Sequence, residues 1–111
     1  MDTKKWASLE ARARIIKAVA HPARLFIVEE LKRGERCVCE LTDMLGFDTS
    51  TVSKHLSVLD NAGIVEHRKS GTNCYYSLRV PCILEFLGCV EEVMESNLKG
   101  QRELVMTCRK R

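Results

Sequence analysis

The apolar positions of this chain fall into helical runs and one alternating pair. From Trp6, the residues Leu9, Ala13, Ile16 and Ala20 recur at gaps of three and four, which predicts a first helix with one apolar seam, ending before His21-Pro22. Pro22 suits the first turn of a second helix over 23–32, with Leu25, Val28 and Leu31 inward and Arg33-Gly34 closing it. Val38, Leu41 and Leu45 then recur at helical spacing up to Gly46, and Val52, Leu56 and Leu59 resume the spacing after Asp48. Gly46-Phe47 makes the break, the Asp48 carboxylate suits an N-cap, and Gly63 suits a left-handed C-terminal cap. Two short helices joined by a glycine turn predict a helix-turn-helix over about 38–62, whose second helix lies in the DNA major groove.

Beyond it, 65–70 and 73–78 are short β-prone runs separated by Gly71-Thr72, a hairpin that beside a helix-turn-helix makes a wing over about 65–78. Pro81 opens a last long helix, on which Ile83, Phe86, Leu87, Val90, Val93 and Met94 form a wide apolar stripe opposite Glu85, Glu91, Glu92 and Glu95. The expected fold is therefore mainly α with a small β-hairpin wing, a winged helix-turn-helix of order α-α-α-α-β-β-α in one domain spanning 1–111. The terminal helices, about 3–20 and 81–99, carry more apolar surface than a chain of 111 residues easily hides, so they are expected to pack across a two-fold axis. Trp6, Leu9, Ala13, Ile16, Phe86, Val90 and Val93 are the dimer candidates.

With Val52, Leu56 and Leu59 turned inward, Thr49, Ser50, Ser53, Lys54 and His55 remain for the outer face of the second helix of the pair. Hydroxyls, a cation and an imidazole suit phosphates and base edges. On the wing, His67, Arg68 and Lys69 are placed to reach the DNA backbone or the adjacent minor groove. The formal charge of +3 is modest, and doubles in a dimer. A composition of 45% hydrophobic and 30% charged residues is that of a globular protein. No apolar run is long enough to span a bilayer and the N-terminus has no signal-peptide block, so a cytoplasmic location without membrane partners is expected. There, the six cysteines are expected to be reduced thiols rather than a disulfide framework. The chain has neither HExxH nor a Gly-rich phosphate loop, and no enzyme activity is expected.

The HPARLFIVEEL segment, the TVSKHLSVLDNAGIVEHRKSG run and the YYSL ending resemble the arsenic-repressor (ArsR/SmtB) family of metalloregulatory repressors over roughly 18–78. That resemblance implies a homodimer that occupies double-stranded operator DNA without metal and leaves it when metal binds. Cys37-Val38-Cys39-Glu40-Leu41 further resembles the motif at which arsenic-sensing members bind As(III) or Sb(III) through thiolates. The position three beyond the second cysteine, where those members carry a third, is Thr42 here, so the third donor is open among an external thiol, a water, Cys74, Cys82, Cys89 and Cys108. The family's Asp/His zinc site has no counterpart, because 81–99 contains neither residue. Cys82 and Cys89, seven apart, would share a helical face and suit either packing or a second soft-metal site. A thiol-redox or persulfide-sensing repressor on the same scaffold is the alternative.

The period of 3.6 residues turns positions i and i+2 about 200° apart on a helix, so Cys37 and Cys39 are expected to converge only in extended or unwound backbone. Metal binding is accordingly expected to distort the start of the helix over 38–45.

Overall fold

A computed structural model describes residues 1–109, with side chains through Gly100. Five helices and three strands follow in the order α1 (Thr3–Val19), α2 (Pro22–Leu31), β1 (Arg36–Cys37), α3 (Val38–Leu45), α4 (Thr49–Asn61), β2 (Val65–Ser70), β3 (Asn73–Leu78) and α5 (Ile83–Arg109). The chain divides into two compact units, one ending at Pro81 and one beginning at Cys82.

The core of the first unit is built where the helical periods placed it. Ile27, Val28, Leu41, Val52, Leu56 and Leu59 are fully buried, each contributing roughly 1.5–3 kcal/mol of hydrophobic stabilisation. Within α2 the inward set is Ala23, Ile27, Val28 and Leu31, while Leu25, expected inward, is only half-buried. Pro22 occupies the first turn, and His21 caps the helix by accepting the Ala23 N–H on Nδ1 at 3.0 Å. Helix α3 stops at Gly46, whose left-handed φ of 72° a side chain would strain. Helix α4 starts on Asp48, whose carboxylate accepts the Thr51 N–H at 2.9 Å.

Strands β2 and β3 pair antiparallel from Val65↔Leu78 to Ser70↔Asn73. Gly71 at φ 64° takes the one strained position of the two-residue loop, which keeps the register tight. The expected wing therefore forms over its expected residues. The third strand, β1, was not expected: two residues carry no alternation to detect, yet Arg36 and Cys37 pair with Tyr76 and Tyr75, giving the sheet order β1-β3-β2. In the second unit, α5 begins at Ile83 rather than Pro81, and Cys82 lies in the preceding turn. The expectation that Cys82 and Cys89 share a helical face is corrected accordingly. No helix among the described residues is long and apolar enough to cross a membrane.

Candidate functional site

Cys37 stands where β1 ends and α3 begins. Its backbone is extended, with φ −81° and ψ 160°, and it is the N-cap of α3, while Cys39 is the second residue of the helix. Only one of the two cysteines is helical, so the sulfurs converge while α3 remains regular. They are joined as a disulfide, with Cα atoms 5.4 Å apart. Two expectations are corrected here: the pair is closed rather than reduced, and convergence requires no unwinding of the helix. The physical reason is the cap, which supplies the extended residue that a helix interior would lack.

The same cap binds the sulfur into the helix start. Glu40 N–H donates to Cys37 Sγ at 3.3 Å, and Cys37 N–H donates back to Glu40 Oε1 at 3.1 Å, a reciprocal capping box with cysteine in the position serine or threonine usually fills. Arg36 flanks it, reaching Glu40 at 3.3 Å and Glu30 at 3.4 Å. Cys37 is buried and Cys39 exposed, so one sulfur is anchored and the other meets solvent. Thr42 does not face this pair as a donor; its hydroxyl donates to the Val38 carbonyl at 2.8 Å, within its own helix.

Cross-strand pairing extends the site toward the wing. Cys37 sits opposite Tyr75, and Tyr75 opposite Arg68, forming one row across the sheet. The Arg68 guanidinium lies over the Tyr75 ring, 4.8 Å from its centroid, and is gripped by Glu35 through two hydrogen bonds of 2.9 and 2.6 Å. That carboxylate holds the guanidinium pKa above its ordinary value. Cys74, one residue from Tyr75 along β3, projects from the other face of the sheet and cannot join Cys37 and Cys39 within one chain. It lies on the side of Tyr76, whose phenol is pushed up first by burial and then by Cys74 and Asp60. Among the described residues no three Cys, His, Asp or Glu side chains gather at one point. Cys82 and Cys89 are exposed in the second unit. The side chain of Cys108 lies outside the described residues.

The expected DNA-facing residues separate into two groups. Thr49, Ser50, Lys54 and Lys69 are exposed and Ser53 is half-buried, and none of them is used in an ion pair among the described residues. The other three are engaged within the chain. His55 turns toward α2, its ring 4.4 Å from that of His21, and its pKa is lowered first by burial and then by the charges of His21 and Arg24. His67 places Nδ1 2.6 Å from Asp60, tying β2 to α4, and Arg68 is held by Glu35. His67 and Arg68 are thus exposed but paired within the chain, and His55 is half-buried against His21.

Sequence reasoning missed the residues that hold these groups and the cap: His21, Asp60, Glu35 and Glu40. Glu40 had a signal, because it stands three beyond Cys37 as in a capping box. Glu35 and His21 had none, since their partners are remote in the chain. On α1, Trp6 and Ile16 are exposed at 55% and 50%, Ala13 is exposed and Leu9 half-buried, and Ile15 adds to the apolar surface. On α5, Phe86, Val90 and Val93 are likewise exposed.

These features define a helix-turn-helix with a wing and a cysteine pair at its first helix. Residues 21–67 match the arsR family of bacterial regulatory proteins. An uncharacterized helix-turn-helix transcriptional regulator of Methanocaldococcus jannaschii is 39% identical over 85 residues, covering 76% of this chain and 96% of the relative. A homolog of the cadmium resistance regulatory protein CadC from Staphylococcus aureus is 40% identical over 67 residues, 60% of this chain and 55% of the relative. Among solved structures, the homodimeric winged helix-turn-helix domain Mb0332 of Mycobacterium bovis is similar with a TM-score of 0.76 at 32% identity, covering 90% of this chain and 93% of that one. The chain belongs to the arsR family, whose members are transcriptional regulators and not enzymes.

Proposed function

We propose that this regulator is a dimeric repressor that occupies operator DNA and releases it when As(III), Sb(III) or a similar thiophilic ion binds the thiolates of Cys37 and Cys39. The observation that carries this reading is the convergence of the two sulfurs at the cap of α3. Once reduced, they offer two soft donors held side by side, suited to a soft ion and poorly suited to magnesium or calcium. The similarity to a relative named for cadmium resistance agrees with that preference. The third donor comes from outside this cluster: a small thiol, a water, Cys74 of the partner subunit, or Cys82, Cys89 or Cys108 from either subunit.

DNA is read by Thr49, Ser50, Ser53 and Lys54 on α4, with Lys69 on the wing touching phosphate. The dimer forms through the seam of α1, with Trp6, Leu9, Ala13 and Ile16, and through Phe86, Val90 and Val93 of α5; the similarity to a homodimeric domain supports a dimer as such. Ion binding draws on the lone pairs of Cys37 Sγ that now accept the Glu40 N–H, and so alters the start of α3. Because α3 leads through Gly46 into α4, and β1 leads through Tyr75 to Arg68, both DNA-reading elements feel the change. Arsenite titrated into the reduced protein on operator DNA tests the reading; it should displace the native protein and leave Cys37→Ser in place.

The disulfide favours a second reading, a thiol-redox repressor. Closing the pair removes two protons and two electrons, which an oxidant such as a peroxide would accept. Release of DNA by peroxide with no response to arsenite would select it.

A further inference from the structure

A second surface of the first unit is built unlike the cysteine site. Helices α1, α2 and α4 enclose an open groove of about 750 Å³. Its apolar surface includes Ala18, Val58 and Ala62, and its charged lining residues are Arg14, Lys17 and Arg24, with no carboxylate among them. None of these three cations takes part in an ion pair among the described residues. Moreover, the Nε–H of Arg24 is buried and has no hydrogen-bond partner. A buried donor without a partner favours an acceptor, and the guanidinium's own charge with those of Arg14 and Lys17 sets the sign that acceptor should carry.

We propose that this groove binds a small organic anion with an apolar body, a carboxylate whose head meets Arg24, Arg14 and Lys17 and whose tail lies on Ala18, Val58 and Ala62. The volume falls within the range of small-molecule pockets, roughly 300–1,000 Å³. Ala20, the last residue of the apolar seam, also lines the groove, while Arg14 and Ala18 lie well around α1 from Trp6, Leu9, Ala13 and Ile16. One wall belongs to α4, so the ligand bridges α1 and α2 to the helix that carries Lys54. The site stands apart from the cysteine chemistry and does not depend on it.

The test is calorimetric titration of the full chain with octanoate, beside octylammonium and inorganic phosphate. Saturable binding of octanoate, with none of octylammonium or phosphate, is expected. Arg14→Gln with Lys17→Gln, both at exposed positions, should weaken octanoate about tenfold or more by removing charge-assisted hydrogen bonds. Arg24→Gln should weaken it further, with circular dichroism confirming that each variant is folded. Equal binding of octylammonium, octanoate binding indifferent to all three substitutions, or no saturable octanoate binding because water alone satisfies Arg24 would overturn the proposal. So would loss of DNA affinity in the double variant with no octanoate bound, which would make the groove a DNA contact.

Discussion

Glu35 grips Arg68 with two hydrogen bonds of 2.6 and 2.9 Å, joining the segment just before the cysteine pair to the first strand of the wing across 33 positions of sequence. The pair is exposed, so its value lies in placing a charge more than in stability. While Glu35 holds it, the Arg68 charge is paired within the chain.

The consequence is measurable as a salt slope. Lys54→Ala and Lys69→Ala should each flatten the dependence of log affinity on log salt by about one unit, because each removes one phosphate contact. Arg68→Ala should change it little in the native background and by about one unit in a Glu35→Gln background. Fluorescence anisotropy across a salt series checks this; equal effects of Arg68→Ala in both backgrounds would exclude the clamp.

The pH dependence of stability follows from His55. Its folded pKa lies below the ordinary 6.5 because burial, His21 and Arg24 all disfavour the imidazolium. Above about pH 6.5 neither state carries the proton and no stability is lost. As pH falls below that value the unfolded chain protonates first, so stability declines until the folded pKa is reached and then levels. Urea midpoints between pH 5 and 8 should show this decline, and His55→Asn should reduce it.

The proposed dimer rests on exposed and half-buried apolar positions of α1 and α5. Leu9→Glu or Val90→Glu would place a charge in the interface and should shift the protein to monomer in sedimentation. Trp6 is the single tryptophan and is 55% exposed in one chain, so its emission should shift to the red as the dimer dissociates. A dimer unchanged in both variants would redirect the interface elsewhere.

Much of this was legible from periodicity. The helix-turn-helix, the wing register and the caps at Asp48 and Gly46 follow from local signals, and local signals are what a sequence displays. The two-residue strand β1 was not legible, because its pairing with Tyr75 and Tyr76 is a long-range fact. The same is true of His55, His67 and Arg68: their spacing marks them as polar surface, while their partners His21, Asp60 and Glu35 lie on other elements. The helix stands over 38–45 as expected, and what its spacing did not display is that the extended N-cap residue Cys37 lets its sulfur meet that of Cys39 with the helix intact.

The cap itself makes a prediction under reducing conditions. Cys37→Ala should destabilise the protein by about 1 kcal/mol through loss of the group that accepts the Glu40 N–H, whereas Cys37→Ser should restore most of it as an ordinary serine capping box. Equal stability of the two variants in urea would show that the sulfur contributes nothing to the helix start.

The central proposal is metalloid release through the two cap-site thiolates, and the most direct measurement is arsenite titrated into the reduced protein bound to a fluorescent operator fragment. Native protein should dissociate as arsenite rises, while Cys37→Ser and Cys39→Ser should bind the same DNA and stay bound, since a hydroxyl is a poor substitute for a soft thiolate. Release of both variants at the native arsenite concentration, with Cys82→Ser or Cys89→Ser failing to release, would contradict the proposal and move the sensor to the second unit.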